Sequence, residues 1–346
     1  MNEHKHLCRY CDPKKKDHGL DHNNITNHGS DSAALSCPNT ANDSGFCYWH
    51  DKTINKSGSD VKTELELYAQ NGGFLHGIVL TRANLRGIDL VNHKHKVGYD
   101  FSYADFYHAD LQGAHLFNLN FNNASLMKAD MRNANINCAN LENANLLGVK
   151  WTGCKFENIK IGNKVSQEIE AKTSMKLGNE AASHDYLEQA EEIYRDLRKH
   201  AEEEGIFTLS GFFIHKELTM RRLQLPRYSM KRFLSKMVDI FCGYGEAPLR
   251  IIGLSILIII FCALLYSLTG LNYQNTVYDI NSQQSLSENF SIFLSSLYFS
   301  VVTFTTLGYG DFNPVGISRA IAAIEAFTGS FTIALFVVVF VKKMTR

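Results

Sequence analysis

A large apolar residue recurs at every fifth position through residues 101–161, and this is the most regular pattern along the chain. For most of the run a small residue, usually alanine, stands two positions before each large one. Asp or Asn usually stands between the two, as in Ala109-Asp110-Leu111. A period of five does not keep one face of an α-helix apolar, so the pattern excludes an amphipathic helix. The large positions are Phe101, Phe106, Leu111, Leu116, Phe121, Leu126, Met131, Ile136, Leu141, Leu146, Trp151, Phe156 and Ile161.

The same period appears earlier, at Leu80, Leu85 and Leu90, and residues 91–98 then shift its register, which predicts a looped-out insertion. The repeat resembles that of pentapeptide-repeat proteins, which form a right-handed, quadrilateral (four-sided) β-helix. The resemblance implies such a β-helix over residues 74–163, with about four coils spaced about 4.8 Å apart. The large residues would stack along its axis, and the alanines would occupy its tighter corners.

Residues 164–225 change to a helical pattern. Apolar residues recur at spacings of three and four over Tyr186–Ala201, Gly205 interrupts the pattern, and a second helix is predicted over about Leu209–Met220. The pair is predicted to form a helical hairpin, similar to a single tetratricopeptide unit. A groove for an unidentified cytoplasmic ligand or protein partner is the alternative to a purely structural role.

Residues 228–241 form an amphipathic stretch, with basic residues opposite a row of apolar ones. Such a composition is typical of a helix at the surface of an anionic inner leaflet. Packing of its apolar side on the helical hairpin is the alternative. Gly243–Pro248 then form a predicted elbow that turns the chain into the lipid bilayer, so residues 228–248 are predicted to connect the cytoplasmic part to the membrane part.

Two apolar stretches, Leu249–Thr269 and Ser318–Val341, are long enough to cross a bilayer, which takes about 20 residues. Lysine and arginine cluster before the first stretch and after the second, whereas residues 270–289 contain neither. Because basic residues favour the cytoplasmic side, both termini are predicted to be cytoplasmic in a plasma (inner) membrane protein. Residues 249–346 are thus predicted to form an α-helical two-span pore domain.

A shorter apolar stretch of 15 residues, Phe290–Phe304, lies between the two spans. It is too short to cross a bilayer and suits a re-entrant helix. Ser287 is its predicted N-cap, with Glu288 in the first turn, where the helix dipole favours an anion. The carboxyl end of this helix would direct a partial negative charge at the segment that follows.

That segment reads Thr-Thr-Leu-Gly-Tyr-Gly-Asp over residues 305–311, and its alternating glycines permit the positive φ angles that let successive carbonyls point one way. It resembles the selectivity filter of potassium channels, in which carbonyl oxygens replace the hydration shell of the ion, with Leu307 in place of valine. The resemblance implies potassium ions in the pore and a homotetramer, because one chain supplies only one wall. It also implies an ion-binding set and two supporting residues. These are Thr306, Leu307, Gly308, Tyr309 and Gly310, with Thr305 and Asp311 in support.

Two residues of the second span carry separate hypotheses. Glu325 is an acid within the membrane, which is costly unless it is partnered. We predict for it a buried hydrogen bond that braces the re-entrant helix or the filter, with a pore-lining charge as the alternative. Gly329 is either a gating hinge or a site of close helix packing.

Cysteines and one histidine recur near the amino terminus at spacings that suit a tetrahedral zinc site. A metal can fix a polar segment that has no hydrophobic core of its own, so residues 1–60 are predicted to bind structural zinc. Three predicted ligands are Cys37, Cys47 and His50, and either Cys8 or Cys11 would complete the set.

The formal net charge is zero, with 35 basic and 35 acidic residues, so we expect no nucleic-acid binding. Mimicry of DNA, which some pentapeptide-repeat proteins perform, needs a strongly acidic surface, and the outward positions here are mixed. No acidic base stands beside the metal motif, so we expect no enzymatic activity.

The sequence predicts a tetrameric potassium channel with a cytoplasmic pentapeptide-repeat domain in a regulatory or assembly role. The alternative is a membrane-anchored scaffold whose pore conducts weakly or without selectivity. The printed sequence ends five residues past the second span, so we expect gating input to enter from the amino-terminal side.

Overall fold

A computed structural model describes residues 6–10, 36–273, 276–278, 280 and 285–345. The chain divides into two compact units, Met1–Gln224 and Leu225–Arg346.

The centre of the first unit is a β-helix held together by single parallel bridges. Asp100 pairs with Asn120, 20 residues on, and Asp105 pairs with Ser125 at the same offset. An offset of 20 residues is four faces of five, so one coil has four sides. Each face contributes one bridged residue instead of an extended strand, which is why the repeat region contains bridges and turns only.

The first coil is longer than the others. Val79 pairs with Asp105, 26 residues on, and Asp89 pairs with His115 at the same offset. Six extra residues therefore leave the coil, in the region where the sequence predicts an insertion at residues 91–98.

The corners of the coils explain the polar positions of the repeat. The second residue of each turn has a left-handed backbone, as at Asn118 and Asn123 with φ of 59° and 58°. Asn adopts this conformation more readily than most residues other than Gly. The Asp or Asn that precedes each large residue accepts a hydrogen bond from the backbone N–H two residues on: the Asp110 carboxylate accepts from Gln112 N at 3.0 Å.

The interior of the β-helix is filled by the large residues of the repeat, every one of which is buried. Phe121 packs against Phe101 and Phe106 with ring centroids 6.0 and 5.6 Å apart. The prediction that these side chains point inward therefore agrees with the structure. Helix α1, Asp60–Gln70, precedes the β-helix and buries Val61 and Leu65 in the same core.

Three helices follow the β-helix: α2 (Ser166–Lys176), α3 (Glu180–Glu203) and α4 (Phe207–Gln224). The sequence predicted only the last two. Helix α2 lacks an apolar periodicity because its buried side carries Gln167 and Glu168, and the Glu168 carboxylate accepts hydrogen bonds from Lys172 and Lys216 at 3.0 Å.

The side chain of Asn179 caps the start of helix α3, and the helix packs against α4 and contacts the end of the β-helix. The buried His200 ring contributes Nε2 to a hydrogen bond with the Cys154 carbonyl oxygen at 2.6 Å. It also stacks on Phe156 at 4.6 Å between ring centroids.

The described residues of the second unit form four α-helices: α5 (Met230–Cys242), α6 (Pro248–Thr269), α7 (Leu286–Phe304) and α8 (Ser318–Met344). Helices α6 and α8 are long and apolar enough to cross a membrane. Three short antiparallel strands lie between them in the order β2-β1-β3. They are β1 (Leu271–Tyr273), β2 (Thr276–Tyr278) and β3 (Asn313–Pro314).

Helix α7 begins differently from the prediction. Ser285, not Ser287, is the N-cap, because its hydroxyl accepts from Glu288 N at 3.3 Å while the Glu288 carboxylate accepts from Ser285 N at 2.9 Å. This reciprocal capping box satisfies two backbone donors at once, which a cap at Ser287 cannot do with the same glutamate.

Candidate functional site

The segment after α7 has an alternating backbone. Thr306, Gly308 and Gly310 have φ of 58°, 61° and 79°. Glycine adopts such angles without strain, and only Thr306 holds the left-handed conformation with a β-branched side chain. Alternation of left- and right-handed residues turns successive carbonyls toward the same side of the strand.

The segment is tied to the end of α7 by backbone hydrogen bonds. Leu307 N donates to the Val302 carbonyl oxygen at 3.0 Å, and Thr306 N donates to that of Thr303 at 3.0 Å. The Thr305 hydroxyl donates to the Val301 carbonyl oxygen at 2.7 Å, so it supplies a hydrogen-bond donor to the last turn of α7.

Side chains around the segment form a partial support. The Tyr298 ring of α7 packs edge-on against Phe312 with ring centroids 6.0 Å apart, which connects the end of the segment to α7. Phe312 stacks on Tyr273 with ring centroids 4.8 Å apart, which fixes the exit of the segment on strand β1.

Glu325 connects three helices. Its side chain is 2% exposed, and its carboxylate accepts from the Tyr266 hydroxyl of α6 at 2.6 Å and the Ser300 hydroxyl of α7 at 2.5 Å. The structure therefore gives this acid the buried hydrogen bonds expected of it, and they link α8 to α6 and α7.

Gly329 lies at a close contact between α8 and α7. A Cβ atom at this position would collide with the carbonyl oxygen of Phe304, the last residue of α7. The close contact matches the packing interpretation of this glycine, while a hinge role stays a prediction.

A contact between the elbow and the end of α8 is one that sequence reasoning missed. Lys342 Nζ donates to the Glu246 carboxylate at 2.9 Å, and Lys343 Nζ donates to the Glu246 carbonyl oxygen at 3.3 Å. No local pattern predicts this pair, because its members are 96 residues apart. A buried apolar cluster also joins α5 and α6 to α8. Its core is Cys242, Ile251 and Val339.

Four residues of the first unit form a candidate metal centre. Cys8, Cys37, Cys47 and His50 are buried, and their ligand atoms all lie within 4.8 Å of one another. The structure thus brings Cys8 into the set, whereas Cys11 lies outside the described residues.

The four ligand atoms are grouped closely enough to surround a single ion. Cys37 and Cys47 Sγ are 3.7 Å apart, and His50 Nδ1 is 3.8 Å from Cys8 Sγ and 3.1 Å from Cys47 Sγ. Ligands of a tetrahedral Zn²⁺ stand about 3.5–3.8 Å apart, given Zn–S of about 2.3 Å and Zn–N of about 2.0 Å. Three thiols and one imidazole are also ligands that zinc prefers.

The surroundings orient these ligands. His50 Nε2 lies 2.9 Å from the His76 carbonyl oxygen, so Nε2 carries the proton and Nδ1 offers its lone pair to the cluster. Cys47 N donates to Cys8 Sγ at 3.2 Å. Burial lowers the pKa of Lys56 to about 8, while the nearby Asp51 and Cys47 favour its charged form. Neither His76 nor Lys56 was predicted, because neither belongs to a ligand motif.

The second unit thus has two helices long and apolar enough to cross a membrane with a shorter helix between them in sequence, and the first unit contains a β-helix. Residues 251–346 match the family model for ion channels, and residues 100–133 and 109–149 match the model for pentapeptide repeats. The chain therefore joins an ion-channel domain to a pentapeptide-repeat domain. No curated protein matches the chain.

Among solved structures, the chain is similar to pentapeptide-repeat proteins. Rfr23 from the cyanobacterium Cyanothece 51142 is 32% identical over 25% of this chain and 60% of its own, with a TM-score of 0.17. HetL from Nostoc sp. strain PCC 7120 is 23% identical over 24% and 47%, with a TM-score of 0.13. A protein of the Arabidopsis thaliana thylakoid lumen is 26% identical over 28% and 77%, with a TM-score of 0.12. The chain thus spans about 60% of the first of these relatives.

Proposed function

We propose that this chain is one subunit of a homotetrameric, potassium-selective channel of the plasma membrane. The observation that carries the proposal is the positive φ at Thr306, Gly308 and Gly310. Carbonyl oxygens that face one side of the strand can replace the water around a passing ion, which is how such filters conduct. The sequence Thr-Thr-Leu-Gly-Tyr-Gly-Asp over residues 305–311 supports potassium as this ion.

The exposed side chains of the same segment support assembly around the pore. Leu307 and Tyr309 are 60% and 68% exposed in a single chain. Large apolar side chains beside a strained backbone need a packed environment, and symmetric copies of the chain supply one. One chain provides only one wall of the ion path, so four copies complete it.

Flux measurements test the proposal. Protein in liposomes should pass potassium and exclude sodium, and Gly308→Ala should abolish or degrade the selectivity. Gly316→Ala is the matched control, because both glycines have positive φ, 61° and 54°, and open space around the missing Cβ. Wild-type protein that passes sodium as readily as potassium would refute the assignment.

We also propose that the first unit holds one structural zinc ion, with Cys8, Cys37, Cys47 and His50 as its ligands. All four are at most 6% exposed, which leaves no open position for a substrate and supports a structural role. We therefore propose no catalytic role for this metal centre.

In the orientation that we propose, both termini lie in the cytoplasm, because basic residues cluster near the amino-terminal end of α6 and the carboxyl-terminal end of α8. The β-helix and its metal centre then form a cytoplasmic domain with a regulatory or assembly role. Regulation would reach the pore through α5, whose Phe233 and Leu234 are 59% and 56% exposed and suit a lipid surface.

The route from α5 to the pore is the contact between Glu246 and Lys342. It acts directly on the end of α8, in addition to the route through the first span. A helix at the membrane surface biases a gate only if its contacts differ between the closed and open states, and this ion pair can do so.

A further inference from the structure

A cavity of about 540 Å³ lies in the first unit beside the metal centre. Its wall is formed in part by Arg9, Tyr10, Phe46, His50, Lys52 and Tyr103. A volume of this size is in the range of small-molecule sites. The metal centre does not account for the cavity, because the sulfur ligands are not part of the wall.

Aromatic rings give the cavity a flat and fixed surface. Tyr10 stacks on His50 with ring centroids 4.2 Å apart and planes inclined by 16°. The Tyr10 hydroxyl is hydrogen-bonded to His76 Nδ1 at 2.9 Å, which holds the Tyr10 ring in place. Rings arranged in this way favour a planar ring system as the occupant.

The carboxylates of the wall are occupied by the protein itself. The Asp51 carboxylate accepts from the Ser44 hydroxyl at 2.5 Å, from Thr53 N at 2.8 Å and from the Thr53 hydroxyl at 2.6 Å. The Asp105 carboxylate accepts from Tyr107 N at 3.0 Å. The acceptor positions of Asp51 are thus largely taken up by the protein before any ligand arrives.

The wall also carries two cations, Arg9 and Lys52. Arg9 and Lys52 are exposed at the cavity, and neither makes a side-chain ion pair or hydrogen bond within the part of the chain that the structure describes. Two cations without a direct ion pair among the described residues, beside a set of fixed rings, suit an anionic ligand, and a phosphate offers the oxygens that arginine and lysine bind.

We propose that this cavity binds a nucleoside phosphate, with the base against the aromatic wall and the phosphate between Arg9 and Lys52. The ligand would contact Tyr10 and through it His50, so binding of the nucleotide and of the metal would stabilise the same residues and raise each other's affinity. The inference does not depend on ion conduction.

Isothermal titration calorimetry on the full-length, zinc-loaded protein tests the proposal with ATP, GTP, AMP, adenosine and inorganic phosphate. At least one nucleotide should bind, and adenosine and inorganic phosphate should each bind at least tenfold more weakly than it. Arg9→Gln and Lys52→Gln should each weaken nucleotide binding about tenfold, the loss typical of one charge-assisted hydrogen bond.

Lys155→Gln is the matched control, because it removes an exposed lysine of the β-helix away from the cavity wall and should leave the affinity unchanged. Elemental analysis of each variant shows whether the metal centre is intact, which separates a lost ligand contact from a lost fold. Failure of every nucleotide to bind at millimolar concentration would overturn the proposal, as would equal affinity of the wild type and the Arg9, Lys52 double variant.

Discussion

The ion pair between Glu246 and Lys342 is predicted to set the balance between conformations of the pore. Their atoms are 2.9 Å apart, and the two side chains are 15% and 38% exposed. Pairs that solvent reaches contribute about 0.2–1 kcal/mol, and the partly buried glutamate favours the upper end. About 1 kcal/mol changes an equilibrium constant about fivefold.

Glu246→Gln should therefore shift the ratio of open to closed channels about fivefold, away from the conformation described here. Single-channel recording in planar bilayers measures this shift as a change in open probability, with ion selectivity unchanged. The effect should shrink at high salt, because counterions screen the pair in the wild type.

Charge reversal provides the sharper test. Glu246→Lys should impair the contact, and addition of Lys342→Glu should restore open probability toward that of the wild type. Lys236→Gln is the control, because Lys236 pairs with Asp239 at 3.6 Å within α5 and its loss breaks no contact with α8. Equal open probability in the wild type, Glu246→Gln and Lys342→Gln would refute the coupling.

Three further predictions concern the metal, the core and the helix contacts. Purified protein should contain one zinc per chain by elemental analysis, and Cys47→Ser should lose it while potassium flux persists. In chemical denaturation of the first unit, Leu126→Ala should cost about 2–5 kcal/mol because this side chain is fully buried, whereas Lys128→Ala should stay within about 0.5 kcal/mol. Glu325→Leu leaves the Tyr266 hydroxyl without its acceptor and should cost about 1–3 kcal/mol in thermal denaturation. Combination with Tyr266→Phe should recover part of that loss.

The β-helix was predictable because its rule is local. Each residue's place within the group of five decides whether it points inward, turns the corner or bonds the next backbone N–H. The sequence also indicates the longer first coil, in which Val79 pairs with Asp105 at an offset of 26 residues, because the repeat changes register at residues 91–98. Only hydrogen-bond partners in neighbouring coils needed the structure.

Other features depend on partners that are distant in sequence. The choice of Cys8 for the metal set required the antiparallel bridge between Leu7 and Thr40, which brings the two short segments together. Helix α2 was not predicted because its buried side carries the salt-bridged Glu168 where an amphipathic helix usually has an apolar residue. Local rules are weakest where a charged group is buried against a partner.

The strain in the filter segment bears on how that segment is held. Thr306 has φ of 58°, and a left-handed backbone at a residue other than glycine costs about 1–2 kcal/mol. Strain of this kind persists only where the surroundings hold it in place. On the side of α7, hydrogen bonds to Val302 and Thr303 do so, but Leu307 and Tyr309 stay exposed. Among the described residues no further contact completes the constraint, and in the proposed tetramer neighbouring copies would supply it, so we expect the filter conformation to become more stable on assembly.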